Sequence, residues 1–354
     1  MSTAACGSSR SGGRAAARVI VLSLAVGLLP GTAVPAAAQD RPALAAVDLY
    51  GTFSVPDSVV RRAAAIEAGN PVPGDSVIAA AIERVRRLPG VAQVHASGVQ
   101  GEDGTVLYIG VLDSGVAAPR FREAPSRFAR LPDEIVAAGA AFDTAFMAAI
   151  QAGEFAEDDS LGHQLMRYPA ARRVQEGFVE LADRYGAELR TVLREAADPE
   201  QRRLAAQVLA YATDKRSVVA PLVAAISDPD GEVRNNAMRG LALIAALAQR
   251  RPELGIDVPH EPFISMLRSP TWTDRNKAAF ALVRLTESRD STLLATLERE
   301  VLPDLLQMAR WHSPGHALPA VLILGRIAGM DDGETFEALQ KGEREAVLRA
   351  AEGG

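Results

Sequence analysis

The sequence predicts a small α+β module of order β-α-α-β-β, followed by an all-α array of stacked helical hairpins. Three observations carry this. Strand-type alternation is confined to the stretch before residue 115, where helix-start signals sit between strand-like runs. From Pro132 onward helical spacing dominates. Within that second region a turn-and-helix pattern recurs, the mark of a repeat architecture.

The chain has 354 residues, which suggests about two domains. Its hydrophobic share of 48% and charged share of 23% suit a molecule that buries a core. The formal net charge of −6 argues against nucleic acid, which calls for a basic face. Arg10, Arg14 and Arg18, with no acid among them, precede an apolar run over residues 19–29. Pro30 and Gly31 break the run, and Ala36, Ala37 and Ala38 lead to Gln39. A basic start, a short apolar stretch and an A-x-A site describe a secretory signal peptide over residues 1–38, cleaved between Ala38 and Gln39. A retained anchor is the alternative, but the run falls short of the roughly 20 apolar residues a spanning helix needs. The single cysteine, Cys6, lies before the cleavage point, so the mature chain is expected to carry no thiol and no disulfide. An exported protein follows, most simply a periplasmic one with no integral membrane segment after cleavage.

The module spans residues 43–114. Val47, Leu49, Tyr50 and Phe53 give a first strand. Pro56, Asp57 and Ser58 start a helix, and Gly69-Asn70 stops it. Asp75 or Ser76 caps a second helix, whose apolar positions Val77, Ile78, Ala81, Ile82, Val85 and Leu88 follow helical spacing. Pro89-Gly90 ends it. Residues 91–99 read as a strand, the glycines of Gln100–Gly104 as a hairpin turn, and residues 105–113 as a strand. The stretches VDLYGTF, IEAGNPVPGDSVIAAAIERVRRLPGVAQV and GTVLYIGVLD resemble the POTRA domain of outer-membrane assembly and secretion proteins. The LPGVAQV junction is their most specific piece. The resemblance implies a small mixed sheet whose free edge, at Val91, Gln93 and His95, is either open to an added partner strand, or solvated or covered by the second domain.

Residues 115–131, with Pro119, Pro125, Arg120, Arg122, Arg127 and Arg130, are expected to be a solvated connector. The array then occupies residues 132–354. DPDGEVRNNAMRGL from Asp228 aligns with SPTWTDRNKAAFAL from Ser269: Arg234 with Arg275, Ala237 with Ala278. A third copy begins at Asp198 with Arg203, and a weaker one at Ser313. This pattern is similar to the HEAT repeat over residues 187–330. The likeness implies an α-solenoid in which Asp198 and Asp228 cap helices, Arg203, Arg234 and Arg275 form a ladder to neighbouring repeats, and Ala237 and Ala278 let helices approach.

No catalytic or phosphate-binding motif is found. His312 and His316 share the i, i+4 spacing of a helical metal pair, but Pro314 and Gly315 between them favour a turn. Glu154, Glu157, Asp158 and Asp159 lack the spacing of a calcium loop. Neither a metal nor another cofactor is expected, and the chain does not read as an enzyme. Trp311 reads as core, and Trp272 as either core or part of a binding rim. The functional reading is a scaffold for a protein or peptide partner built on the repeats. The alternative is an accessory factor in envelope or outer-membrane protein biogenesis that works by strand addition at the module.

Overall fold

The computed structural model describes residues 42–101, 104–154 and 156–353. The signal-peptide reading, with Ala38 and Gln39, therefore lies outside the described residues.

The module runs β1 (Leu44–Tyr50), α1 (Asp57–Ala64), α2 (Asp75–Arg86), β2 (Val91–Gly101) and β3 (Gly104–Asp113). β3 is central: β1 lies parallel to it on one side and β2 antiparallel on the other. The two faces of β3 have different tasks, as strand alternation dictates. Leu107, Ile109 and Val111 join a core under α1 and α2, together with Val60, Ala81, Val85 and Val94. Val106 and Tyr108 face the other way and belong, with Ala46 and Tyr50, to the core of the helical array. All four are buried by the array, so the sheet is a shared layer.

After the connector come α3 (Asp133–Gln151), a short hairpin of β4 (Glu157–Asp158) and β5 (Leu165–Met166), and α4 (Pro169–Arg184). Four helix pairs follow. They are α5 (Gly186–Glu195) with α6 (Pro199–Leu209), α7 (Lys215–Ala225) with α8 (Gly231–Arg250), α9 (Glu261–Met266) with α10 (Trp272–Leu285), and α11 (Ser291–Ala309) with α12 (Pro314–Ile327). The second helices stack in one row, α6 on α8 on α10 on α12; among the first helices α5 meets α7 and α9 meets α11. One hairpin leaves an apolar side open, and the next covers it, so the core is continuous. α13 (Asp332–Gln340) and α14 (Arg344–Glu352) pack on α12 at the far end. α11 is not one straight helix. It bends at Val301 (φ −138°), two residues before Pro303, whose ring cannot continue a regular helix.

Close approach fixes the stack at a few small residues. A Cβ on Gly240 of α8 would lie 2.7 Å from Cβ of Ala210, and Ala237 and Ala278 are fully buried. Among the described residues no helix is long and apolar enough to cross a membrane.

Candidate functional site: the two edges of the array

The turns inside the repeats line one edge of the array. Here a ladder of buried ion pairs runs from repeat to repeat. Arg202 donates to both oxygens of Asp228 at 2.9 Å, Arg234 to both of Asp274 at 2.8 and 2.9 Å, and Arg275 to Asp304 at 2.9 Å. Each arginine also donates to carbonyls of its own turn, at Ala196, Asp228 and Ser269. All three stand four residues after the N-cap of their helix, the N-caps being Asp198, Asp230 and Thr271. Two expectations are corrected here. Arg203 is not a rung: its side chain turns outward to Glu200 at 3.1 Å, because Arg202 is the residue at the inward register. Asp228 does not cap α8. Asp230 does so through Glu232 N and Val233 N, while Asp228 is the acceptor for the previous repeat. Asp198 caps α6 through Glu200 N at 2.9 Å.

The rungs differ in their electrostatics. Burial pushes the Asp228 carboxyl up, but hydrogen bonds from Arg202 and then Arg122 outweigh it and hold the group below its ordinary value. At Asp304 burial wins over the attraction of Arg275 and, more weakly, Arg268, and the carboxyl is raised.

Arg122 comes from the connector, which is not a free solvated segment. It donates to Asp228 at 2.5 Å and to the carbonyls of Leu193 and Arg194 at 2.8 Å. Those are last-turn carbonyls of α5, which have no partner within their helix. Its neighbour Phe121 lies under the Arg234 guanidinium, 4.0 Å from ring centre to cation. Arg127 bridges Ala196 in parallel, and Leu131 N donates to Gln201 at 2.8 Å.

Further along the same edge the module's sheet closes over the turns of α9–α10 and α11–α12. The Tyr50 hydroxyl donates to Pro270 O at 2.8 Å, and the Tyr108 hydroxyl meets His316 Nδ1 at 2.8 Å. Tyr108 packs on Trp272 (5.3 Å between rings) and Trp311 (5.1 Å). The Arg275 guanidinium lies 4.9 Å over Tyr50. Gly51 N donates to Gln307 at 2.6 Å and His312 N to Asp48 at 2.7 Å. β3 approaches so closely at Gly110 that a Cβ there would sit 2.0 Å from Pro270 O. Trp272 is therefore not a binding rim: it is 1% exposed, sealed in this seam. His316 is likewise part of the seam, and burial pushes its imidazole down to about 4.

Of the edge-strand residues, Gln93 and His95 are exposed and Val91 is half-buried against the module core. Among the described residues β2 pairs only with β3, so its outer edge has no strand beside it.

The opposite edge carries the loops between repeats and is not covered by the module. It holds a cavity of about 580 Å³ bounded by the hairpin after α3, α4, the start of α7, Leu247 of α8 and the turn after α8. At its base the Lys215 ammonium donates to Ala210 O at 2.8 Å and to His163 Nδ1 at 3.0 Å. Both residues are buried. Burial, then repulsion by Lys215, lowers His163 to about 4; burial lowers Lys215 to about 7, against the attraction of Asp183. Among the described residues no cluster of three or more metal-ligating side chains exists.

Residues 186–253, which include the pairs α5–α6 and α7–α8, match the family of HEAT repeats. No curated protein matches the chain. Two similar solved structures are designed armadillo repeat proteins. YIII(Dq)4CqI is 18% identical, with 52% of this chain and 92% of that one covered and a TM-score of 0.35. YIII(Dq.V1)4CPAF, in complex with the peptide (KR)4, is 18% identical with the same coverage and a TM-score of 0.36. The helical array is a stack of helical hairpins, of which residues 186–253 are similar to HEAT repeats.

Proposed function

We propose that the chain is an exported scaffold that holds a protein partner on a rigid two-part frame. The supporting observation is the clamp along the turn edge. Seam and connector fix the module against the array, so two free surfaces, the outer edge of β2 and the loop edge of the array, stand in a constant relation. Solenoids serve as binding frames because their stacked repeats present an extended surface. The leader-like N-terminus supports export, and the element order of the module supports a POTRA-like unit. In-cell photocrosslinking from Gln93 and, separately, from Leu254 of the full chain tests this. A discrete crosslinked protein from either position in the envelope fraction is expected. No adduct from both, or a chain retained in the cytosol, overturns the reading.

The unpaired β2 edge favours a second reading, strand addition by an envelope-biogenesis partner. Proline placed singly through residues 91–96 would then weaken capture at alternate positions, where N–H groups point outward. Uniform effects along the strand would rule it out.

A further inference from the structure

We propose that the cavity on the loop edge is a binding site for a small carboxylate with an apolar body. The walls supply the apolar part: Leu165, Val179, Leu247 and Ile256 line it, and Leu161 and Leu254 stand at 57% and 38% exposed. Large aliphatic side chains left in water around a concavity mark a surface that gains from being covered. The volume of about 580 Å³ suits a small ligand.

The polar part is specified by what is missing at the base. A lysine ammonium has three N–H donors. Lys215 uses one on Ala210 O and one on His163 Nδ1. Since His163 Nδ1 accepts, the neutral ring carries its proton on Nε2. That atom is buried without a partner, on a residue only 6% exposed. One N–H of Lys215 is thus spare beside the cavity, and the cation has no anion of its own. The surrounding carboxylates are committed elsewhere: Asp183 to Thr213 N and Oγ1 at 2.8 and 2.6 Å, Glu176 to Arg172 at 2.9 Å, and Asp214 to the first turn of α7. A buried cation without a counter-ion is costly, and a carboxylate accepting from Lys215 Nζ would relieve that while satisfying its third donor. The depressed basicity of Lys215 is the expected signature of such an uncompensated site. An amine would be repelled, and an alcohol would leave the charge unanswered.

Calorimetric titration of the full chain with octanoate, 1-octanol and octylamine at pH 7 decides it. Octanoate should bind once per chain and at least tenfold tighter than octanol, with octylamine silent. Lys215→Met should erase the preference for acid over alcohol and keep the alcohol affinity. His163→Phe, which retains the lysine, should keep the preference for acid over alcohol. Equal binding of acid and alcohol by the unaltered protein, or no binding of either, overturns the proposal. It does so without touching the scaffold reading, which rests on the clamp along the turn edge and is tested by protein crosslinking.

Discussion

The two edges of the array solve the same problem in opposite ways. Both carry buried cations. On the turn edge each ladder arginine meets an aspartate, and the connector adds a second arginine at Asp228. The chain then covers this edge with its own sheet. On the loop edge Lys215 is buried beside a neutral imidazole with no carboxylate bound to it. Arginine keeps its proton under burial, whereas lysine gives it up readily. The residue types therefore match the two outcomes. Guanidinium stands where a permanent structural pair is made, and ammonium where the charge is conditional.

The largest expected effect sets the edges against each other directly. His316 sits in the seam and His163 at the cavity, both with folded values of about 4 against an ordinary 6.5. Above pH 6.5 neither form is protonated, folded or unfolded, and the full contribution is present. Below it the unfolded chain takes up protons that the folded one refuses, and stability falls until about pH 4. The loss is up to roughly 3 kcal/mol for each imidazole. The two lysines that are buried act in the other window. Lys215 and Lys277 fall from 10.5 to about 7, so stability rises between pH 7 and about 10 as the unfolded chain alone stays protonated. Urea midpoints across pH 4 to 9 check both slopes. The chain's two tryptophans, Trp272 and Trp311, both lie in the seam. Their fluorescence therefore follows the turn edge alone, and His316→Phe should flatten its acid response while His163→Phe leaves it.

Next comes the ladder. Asp228→Ala leaves Arg202 buried and Arg122 partly buried without their acceptor, at a cost of about 3–5 kcal/mol. Arg202→Ala should cost a similar amount. Chemical denaturation measures both, and a loss under 1 kcal/mol would mean that solvent reaches the pair.

Much of this frame was legible in the sequence. The order of the module's elements, the helical pairs and the buried small residues follow from alternation, turn residues and recurrence. The rungs were only half legible. Counting from the Asp-Pro or Ser-Pro pair gives four residues in the copy at Asp198 and six in those at Asp228 and Ser269, because the turns before α8 and α10 are two residues longer. Counting from the N-cap gives one spacing throughout, but the N-cap has to be seen. The seam was not legible at all. Tyr50 and Tyr108 read as ordinary strand residues, and nothing local says that their face meets Trp272 some 160 residues away or more. The cavity did leave one trace. In a chain whose cations are nearly all arginine, Lys215, Lys277 and Lys341 are the only lysines, and two of these three are buried.

The seam is tested at its tightest point. Gly110→Ala places a methyl where only 2.0 Å separates it from Pro270 O and 2.5 Å from the Tyr50 ring. Neither a turn carbonyl nor a sealed aromatic can yield cheaply, so the sheet must lift from the array, at about 1–3 kcal/mol. The emission of both tryptophans should shift to the red as water enters. The loop edge should not respond, and octanoate titration gives the matching readout there.

The smallest effect separates two neighbouring arginines. Arg203 precedes Leu204 in the same helix turn as Arg202, carries the same charge and has the same propensity to be helical. Its guanidinium nevertheless meets only Glu200, in an i, i+3 pair whose side chains are 31% and 68% exposed. Pairs of that kind contribute at most about 0.5 kcal/mol, and salt screens them. Arg203→Ala should therefore move the urea midpoint by no more than about 0.5 kcal/mol in equivalent stability, and by less still in 0.5 M salt. Arg202→Ala, one position earlier, should show its full loss at either ionic strength, because its partner is buried. If the two variants behaved alike, the inward register assigned to Arg202 would be wrong. The ladder would then have to be recounted from Arg203, with Asp228 left to Arg122 alone.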